Sequence, residues 1–486
     1  MEWAAWLAFG VLAADLLLRI GTAVRVVFRR YPLGVSFSWL TLVLLLPFVG
    51  AAVYWVVGEN RRGSRRAARE RELLGPYRAW QRTVLERTPE LAALPVPAAW
   101  RGLHQEALQL TGVPVMAGNQ VQIYTEAVPV LLAIAEEIRH ARYSCNLLFY
   151  IWHPGGATDA VGEALIAAAN RGVACRVLLD AIGSQEFLRT SLCRRMREGG
   201  VKVIEALPVR LWRLLLVRND LRNHRKVVVI DGVRAYTGSM NLVDPRYFKR
   251  EAGVGPWVDL MLQVTGPVVE HLAVVFAADW ELETGEGLES LDGPGGIRPV
   301  AAAGGTPIQI VPSGPGFHAG SAHQLLLSAL YTAQRELLVT TPYFVPDDPF
   351  RAALVAAARR GVRVRLTVPA RVDSRMVRYA SRAHFQELLD AGVEIRCFRG
   401  GLLHTKALTI DGHLALLGTV NLDHRSFWLN FELLMVIYDP EVVGALRRVQ
   451  SSYNEDADTL EAEGWRRRSL GLQFLENLAA LAAPIL

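Results

Sequence analysis

Residues 223–241 read NHRKVVVIDGVRAYTGSMN. His224 and Lys226 are two apart, so on an extended strand both side chains share one face and Arg225 takes the other. Val227 to Ile230 is a short β-branched run suited to a buried strand. Asp231-Gly232 is a strong hairpin signal, after which the chain returns through Ala235-Tyr236-Thr237 to Gly238-Ser239, with Asn241 two residues on. Such a hairpin gathers an imidazole, an ammonium, a hydroxyl and an amide in one small space. Those groups suit a phosphodiester.

The arrangement occurs twice. Residues 403–421 read LHTKALTIDGHLALLGTVN, with His404, Lys406, Asp411, Gly418, Thr419 and Asn421 at the same relative spacings. A single H-x-K-x-x-x-x-D could be accidental, and a lone strand histidine is usually a satisfied core residue. Two copies, each followed after six residues by Gly-Ser or Gly-Thr and then Asn, are far harder to obtain by chance. This duplicated pattern resembles the phospholipase D superfamily, whose members carry the motif twice.

The flanking sequence is duplicated as well. ALIAAANRGVACRV (164–177) aligns with ALVAAARRGVRVRL (353–366), and MREGGVKV (196–203) with LLDAGVEI (388–395). A repeat of this length is a duplicated domain, not a solenoid. Within the first copy, 143–152 reads as a strand, 159–171 as an Ala-rich helix, 173–179 as a strand, 191–200 as a helix and 201–204 as a strand. The predicted fold is therefore α/β: a duplicated phospholipase D-like domain, two lobes with mixed sheets, preceded by N-terminal membrane helices. The expected divisions are 1–58 for the membrane segments, 59–105 for a basic connector with a helix near 67–85, 106–284 and 306–464 for the two halves, 285–305 for a Gly-, Pro- and Ala-rich linker, and 465–486 for a tail.

Composition bounds the setting. The chain has 486 residues, too many for one ordinary core, and 51% are hydrophobic. Its mean hydropathy of +0.20 points to a membrane. A net charge of +6 suits an anionic partner such as lipid. The four cysteines, Cys145, Cys175, Cys193 and Cys397, have neither zinc nor disulfide-framework spacing and fit a reducing compartment. Residues 35–57 run 23 positions without a charge, enough to cross a bilayer of ~30 Å, with a kink expected at Pro47. The apolar run 3–18 is the weaker candidate because Asp15 interrupts it; it reads as a short span or an interfacial helix. The arginines at 61, 62, 65, 66, 69 and 71 favour a cytoplasmic catalytic region, against Arg25, Arg29 and Arg30 between the two apolar runs. PVRLWRLLLVRNDLR (208–222) and the tail from Trp465 both mix arginine with apolar residues, as either packed amphipathic elements or rims that meet lipid.

Facing each other, two such motifs offer a nucleophile and an acid. One histidine attacks phosphorus to give a phosphohistidine while the other protonates the departing alkoxide, then deprotonates the incoming alcohol. Lys226, Lys406, Asn241 and Asn421, with Ser239 and Thr419, are the expected phosphate-binding groups, and no metal or other cofactor is expected. Asp231 and Asp411 complete the catalytic motif of the superfamily, yet their place in the hairpin turns gives them a structural reading. Asp259 and Glu432, 18 and 11 residues past the asparagines, are the expected histidine-orienting acids, since superfamily members have an acid in these places. Arg222 and Arg225 crowd the first motif with positive charge, which would favour a neutral, attacking His224 and leave the acid role to His404.

The resemblance narrows with the two apolar N-terminal segments, NHRK, VPSGPG (311–316) and TPYFVPDD (341–348), which together look like bacterial cardiolipin synthases over nearly the whole chain. YIWHPGG (150–156) departs from the pattern, since related sequences usually have an acidic residue after the aromatic pair. The resemblance implies transfer of a phosphatidyl group from one phosphatidylglycerol to another, with release of glycerol, at the bacterial inner membrane. The alternative acceptor is water, which would make a membrane-bound phospholipase D-type hydrolase. Nucleic acid is disfavoured by the span and by the lack of a basic stripe with interleaved aromatics, and a dead scaffold by two intact motifs.

Overall fold

Both Asp-Gly turns take the backbone the hairpin needs. Asp231 and Gly232 have φ of 51° and 64°, Asp411 and Gly412 54° and 74°, so both central residues lie in the left-handed region. The apolar runs on either side then pair as antiparallel strands, 227–230 with 234–238 and 407–410 with 414–418. These hairpins belong to one large sheet in the computed structural model of the chain, which describes residues 2–29, 33–58, 64–87, 96–209, 220–287, 293, 295–315 and 320–481.

The first half contributes β1 (Met116–Tyr124), β2 (Ser144–Phe149), β3 (Ala174–Asp180), β4 (Lys202–Ala206), β5 (Val227–Ile230), β6 (Arg234–Gly238) and β7 (Met261–Thr265). The second contributes β8 (Thr306–Ser313), β9 (Glu336–Thr340), β10 (Arg363–Pro369), β11 (Glu394–Phe398), β12 (Ala407–Ile410), β13 (Leu414–Gly418), β14 (Glu432–Ile437) and β15 (Ala457–Thr459). Among the described residues the order across the sheet is β15-β11-β10-β9-β12-β13-β14-β8-β1-β7-β6-β5-β2-β3-β4. The two halves mirror each other about the antiparallel pair β1 and β8. In each, three parallel strands (β2-β3-β4, β9-β10-β11) join the hairpin through an antiparallel contact. The alternation of strand and helix read from the sequence is present, with helices at Ala157–Asn170 and Ser191–Glu198.

One apolar cluster fuses the halves. Helix Val268–Thr284 packs Leu272, Phe276 and Trp280 with Val227, Val229 and Leu262 of the first half and with Ala415, Leu433 and Met435 of the second. The helix predicted near 67–85 spans Ser64–Arg87. Trp80 and Arg87 both bond the buried Glu270 of helix Val268–Thr284, at 2.9 and 2.6 Å.

Contacts divide the chain into two units, Met1–Ala67 with Val209–Leu221, and Ala68–Pro208 with Arg222–Leu486. In the first unit the expected ranking of apolar runs reverses. Helix Glu2–Phe28 is continuous, and 3–28 is long and apolar enough to cross a bilayer. The run 35–57 is broken: helix Leu33–Leu45 stops, Phe48 takes φ 52°, and the chain resumes as Val49–Val53 and a π-helical turn, Tyr54–Gly58. Pro47 has no N–H and cannot continue the ladder. The bond that would join Phe48 N–H to Leu44 C=O is replaced from the first helix: Phe48 N donates to Asp15 Oδ1 (2.8 Å), and Arg19 Nη1 donates to Leu44 O (2.9 Å). Asp15 and Arg19 are themselves paired, so the acid that weakens the first run in sequence satisfies the break in the second. Most of the basic segment 208–222 lies outside the described residues.

Candidate active site

Each motif strand ends beside the other half of the chain. Residue 223 bridges residue 431 in parallel, and His224 N donates to Phe431 O at 2.9 Å. Likewise Leu402–Leu403 pairs in parallel with Trp257–Val258, and His404 N donates to Val258 O at 2.7 Å. The orienting acids are therefore exchanged between halves. His224 Nδ1 lies 2.9 Å from Glu432 Oε2, and His404 Nδ1 lies 2.7 Å from Asp259 Oδ1. With a carboxylate accepting at Nδ1, each neutral imidazole carries its proton there and keeps the Nε2 lone pair free.

Ser239 and Thr419 hold those acids. Ser239 Oγ donates to Asp259 Oδ1 (2.7 Å) and Thr419 Oγ1 to Glu432 Oε2 (2.5 Å), while each hydroxyl accepts the N–H of the residue after the acid, Leu260 and Leu433. The hydroxyls expected at the phosphate are thus committed to the carboxylates. Glu432 is the more heavily bonded acid, since its Oε1 also accepts from Ser426 Oγ (2.7 Å) and Asn430 Nδ2 (3.3 Å). Sequence reading missed both, though HRSFWLN (424–430) is a polar-studded stretch ending two residues before the acid.

The lysines stay at the centre. Lys226 Nζ donates to His224 O at 2.5 Å and Lys406 Nζ to His404 O at 2.6 Å, which leaves further N–H groups on each ammonium. Asn241 accepts from Ile151 N at 3.2 Å through Oδ1, but its buried Nδ2 has no hydrogen-bond partner; Asn421 has an unpartnered buried Oδ1. Tyr150 stands edge-on to His224 (5.0 Å) and Trp257 lies against His404 (4.2 Å), forming aromatic walls on both sides. His153, in the departing YIWHPGG stretch, packs against Phe248 at 5.0 Å.

Asp231 and Asp411 lie in the turns at the far ends of the motif strands. Asp231 accepts the backbone N–H groups of Arg142, Tyr143 and Ser144 at 2.7–3.2 Å, and Asp411 those of Gln334, Arg335 and Glu336 at 2.7–3.0 Å. Each staples its hairpin to the start of the neighbouring parallel strand and touches neither histidine's partner set.

A family model described as "Cardiolipin synthase, PLD-like domain" matches residues 134–280 and 326–452, one match on each half. The curated cardiolipin synthase A of Yersinia pseudotuberculosis serotype O:1b (strain IP 31758) is 44% identical over 470 residues, covering 97% of this chain and 96% of its own. That of Yersinia pestis bv. Antiqua (strain Angola) matches to the same extent. The chain belongs to the cardiolipin synthase family of the phospholipase D superfamily. The crystal structure of phosphatidylserine synthase from Haemophilus influenzae Rd KW20 shares the fold, with a TM-score of 0.58 at 14% identity, covering 79% of this chain and all of that one.

The electrostatics of this cardiolipin synthase family member differ from the expected asymmetry. Burial lowers both His224 and His404 to about 4, against the pull of Glu432 and Asp259, with Lys226 and Lys406 adding to the depression. Arg222 and Arg225 do not supply it. Arg222 pairs with Asp180 (3.2 Å) and Arg225 with Asp279 (2.7 Å), both buried, so their charges are compensated. The two paired arginines do not single out His224, and both rings are lowered alike. Burial raises Glu432 and Asp259, but their paired histidines, with Lys226 and Lys406 respectively, outweigh it and lower both. Burial and the neighbouring Lys406 charge push Lys226 well down, and burial brings Lys406 to about 8. An unliganded site that disfavours its own positive charges is one that an arriving anion stabilises.

Proposed function

We propose that this chain transfers a phosphatidyl group from one phosphatidylglycerol to a second, giving cardiolipin and glycerol, at the cytoplasmic face of a bacterial inner membrane. The observation that supports the reading is the exchanged pair of acid–histidine contacts, which leaves Nε2 free on both His224 and His404, with the charges of Lys226 and Lys406 each acting on both rings. The Arg-rich flank at 61–71 supports the orientation. We divide the chain as the sequence suggests, with 1–58 as anchor, 59–105 as connector, 285–305 as linker between the halves and 465–486 as tail.

In the first step His224 Nε2 attacks phosphorus as the bond to the glycerol oxygen breaks, and a protonated His404 Nε2 gives its proton to that oxygen. The bound phosphodiester anion supplies the negative charge that lets His404 hold that proton. Lys226 Nζ, Lys406 Nζ and the Nδ2 amides of Asn241 and Asn421 donate to the non-bridging oxygens as charge accumulates. In the second step His404 removes the proton from the hydroxyl of the second phosphatidylglycerol, its oxygen attacks phosphorus, and the P–N bond breaks to return neutral His224. The order of roles is supported by the superfamily, in which the N-terminal motif's histidine is usually the one phosphorylated.

The test uses labelled lipid. Purified protein with phosphatidylglycerol should give cardiolipin and glycerol; phosphatidic acid alone would make it a hydrolase. With a substrate whose leaving group needs no proton, label should persist on the His404→Ala enzyme and be absent from His224→Ala, and the opposite pattern reverses the roles.

A further inference from the structure

The C-terminal helix Leu470–Ala480 is inside out. Leu470, Phe474 and Leu478, with Leu481 just beyond, recur every three or four residues and form one stripe. That stripe faces outward: Leu470 is 82% exposed, Phe474 67% and Leu481 79%. The opposite face buries a carboxylate. Glu476 is fully buried, 2.8 Å from Arg382 Nε and 3.2 Å from Arg468 Nη2. Arg382 and Arg468 in turn sit over the ring of the buried Trp465, at 4.7 and 4.0 Å. A helix free to choose would bury its leucines and expose its glutamate. Here the buried ion pair fixes the rotation, so the apolar face cannot turn inward without stranding a charge.

The surroundings state what medium covers that face. Arg466 and Arg467 precede the helix and are exposed, their partners being the surface carboxylates of Asp390 and Glu463. Arg375 and Arg378, both exposed, lie on helix Arg375–Ala383, the helix that carries Arg382. Apolar side chains bordered by arginine match a bilayer with anionic headgroups. The position is also close to the chemistry. Helix Arg375–Ala383 begins two residues after Asp373, which bonds Tyr343 Oη (2.9 Å) and Lys249 Nζ (3.0 Å) and whose charge acts on Lys406.

We propose that helix Leu470–Ala480 is a second membrane contact, independent of the N-terminal segment, whose apolar stripe enters an anionic bilayer and holds the catalytic residues near the lipid surface. The inference rests on the lipid-substrate reading given above. The helix position needs a readout that involves no catalysis. In the full chain with Cys397→Ser, the other three cysteines being buried, an environment-sensitive fluorophore is placed on Leu478→Cys. Reconstituted in phosphatidylglycerol-containing vesicles, it should be quenched by lipids brominated on their acyl chains. An unquenched fluorophore overturns the proposal. Quenching in a protein that makes no cardiolipin would leave the surface standing and remove the catalytic reading instead. The second arm is the double variant Phe474→Gln/Leu478→Gln, whose sites are exposed and should leave the melting temperature unchanged. Cardiolipin formation should fall at least tenfold on vesicles and stay unchanged on monomeric short-chain phosphatidylglycerol. Equal loss on both substrates, no loss on either, or a dimer in detergent that the variant splits to monomers would each overturn it, the last by naming a second copy as occupant.

Discussion

Glu432→Gln should damage catalysis far more than Asp259→Asn, although both acids do the same work on opposite histidines. The difference lies in how the oxygens are used. Asp259 receives both its donors, Ser239 Oγ and His404 Nδ1, on Oδ1, each at 2.7 Å. Asparagine can keep both with its carbonyl oxygen and lose only the charge. Charge-assisted hydrogen bonds are about twice as strong as neutral ones, so the loss is about 1–1.5 kcal/mol, or roughly tenfold in rate. Glu432 uses both oxygens: Oε2 for His224 and Thr419, Oε1 for Ser426 and Asn430. A glutamine that keeps its oxygen on His224 turns its NH2 toward Ser426 and Asn430: the Asn430 amide can flip to accept it, but the buried Ser426 hydroxyl loses its acceptor. Turned round, it faces His224 Nδ1–H with a donor and drives the ring to the tautomer whose Nε2 is protonated and cannot attack. An unsatisfied buried donor adds about 1–3 kcal/mol, so the total is about 2–4 kcal/mol, roughly 30- to 1000-fold. The assay is the single-turnover rate at saturating phosphatidylglycerol, per folded molecule as judged by melting. Equal losses, or a larger loss in Asp259→Asn, would refute the reasoning.

Two further outcomes are expected. Asp231→Ala or Asp411→Ala should cost about 2 kcal/mol of stability by releasing three backbone N–H groups, while turnover of the remaining folded enzyme stays near wild type; chemical denaturation alongside rate measurements checks this. Because His224 and His404 fall to about 4 in the folded protein, the unfolded chain binds more protons between that value and about 6.5, so stability should decline as pH falls through this window; melting temperatures against pH should flatten there in His224→Gln/His404→Gln.

The halves, hairpins and motif residues were legible because each is a local pattern: period two around His224 and Lys226, Asp-Gly at the turn, β-branched residues between. The break at Pro47 was legible as a kink, but not its repair by Asp15 and Arg19, whose distance from Leu44 and Phe48 in sequence gives no hint of contact. The serine and threonine after each hairpin carried no sign of their partners either. A hydroxyl near a phosphate site and a hydroxyl beneath a carboxylate have the same sequence signature, and only the strand order separates them.

The exchange of acids is the least legible feature and the most consequential. In sequence Glu432 belongs to the second motif and Asp259 to the first, each downstream of its own asparagine. The fold sends each to the other histidine because 223 meets 431 and 402–403 meets 257–258 across the junction of the halves. A half on its own would therefore hold a histidine without its orienting acid and an acid without its histidine. In the unseparated chain, Val268–Thr284 packs beneath strands of both halves, so the core that fixes their relation also fixes the two contacts. A shift between the halves therefore acts directly on the two acid–histidine contacts, which makes the active site itself a reporter of their alignment.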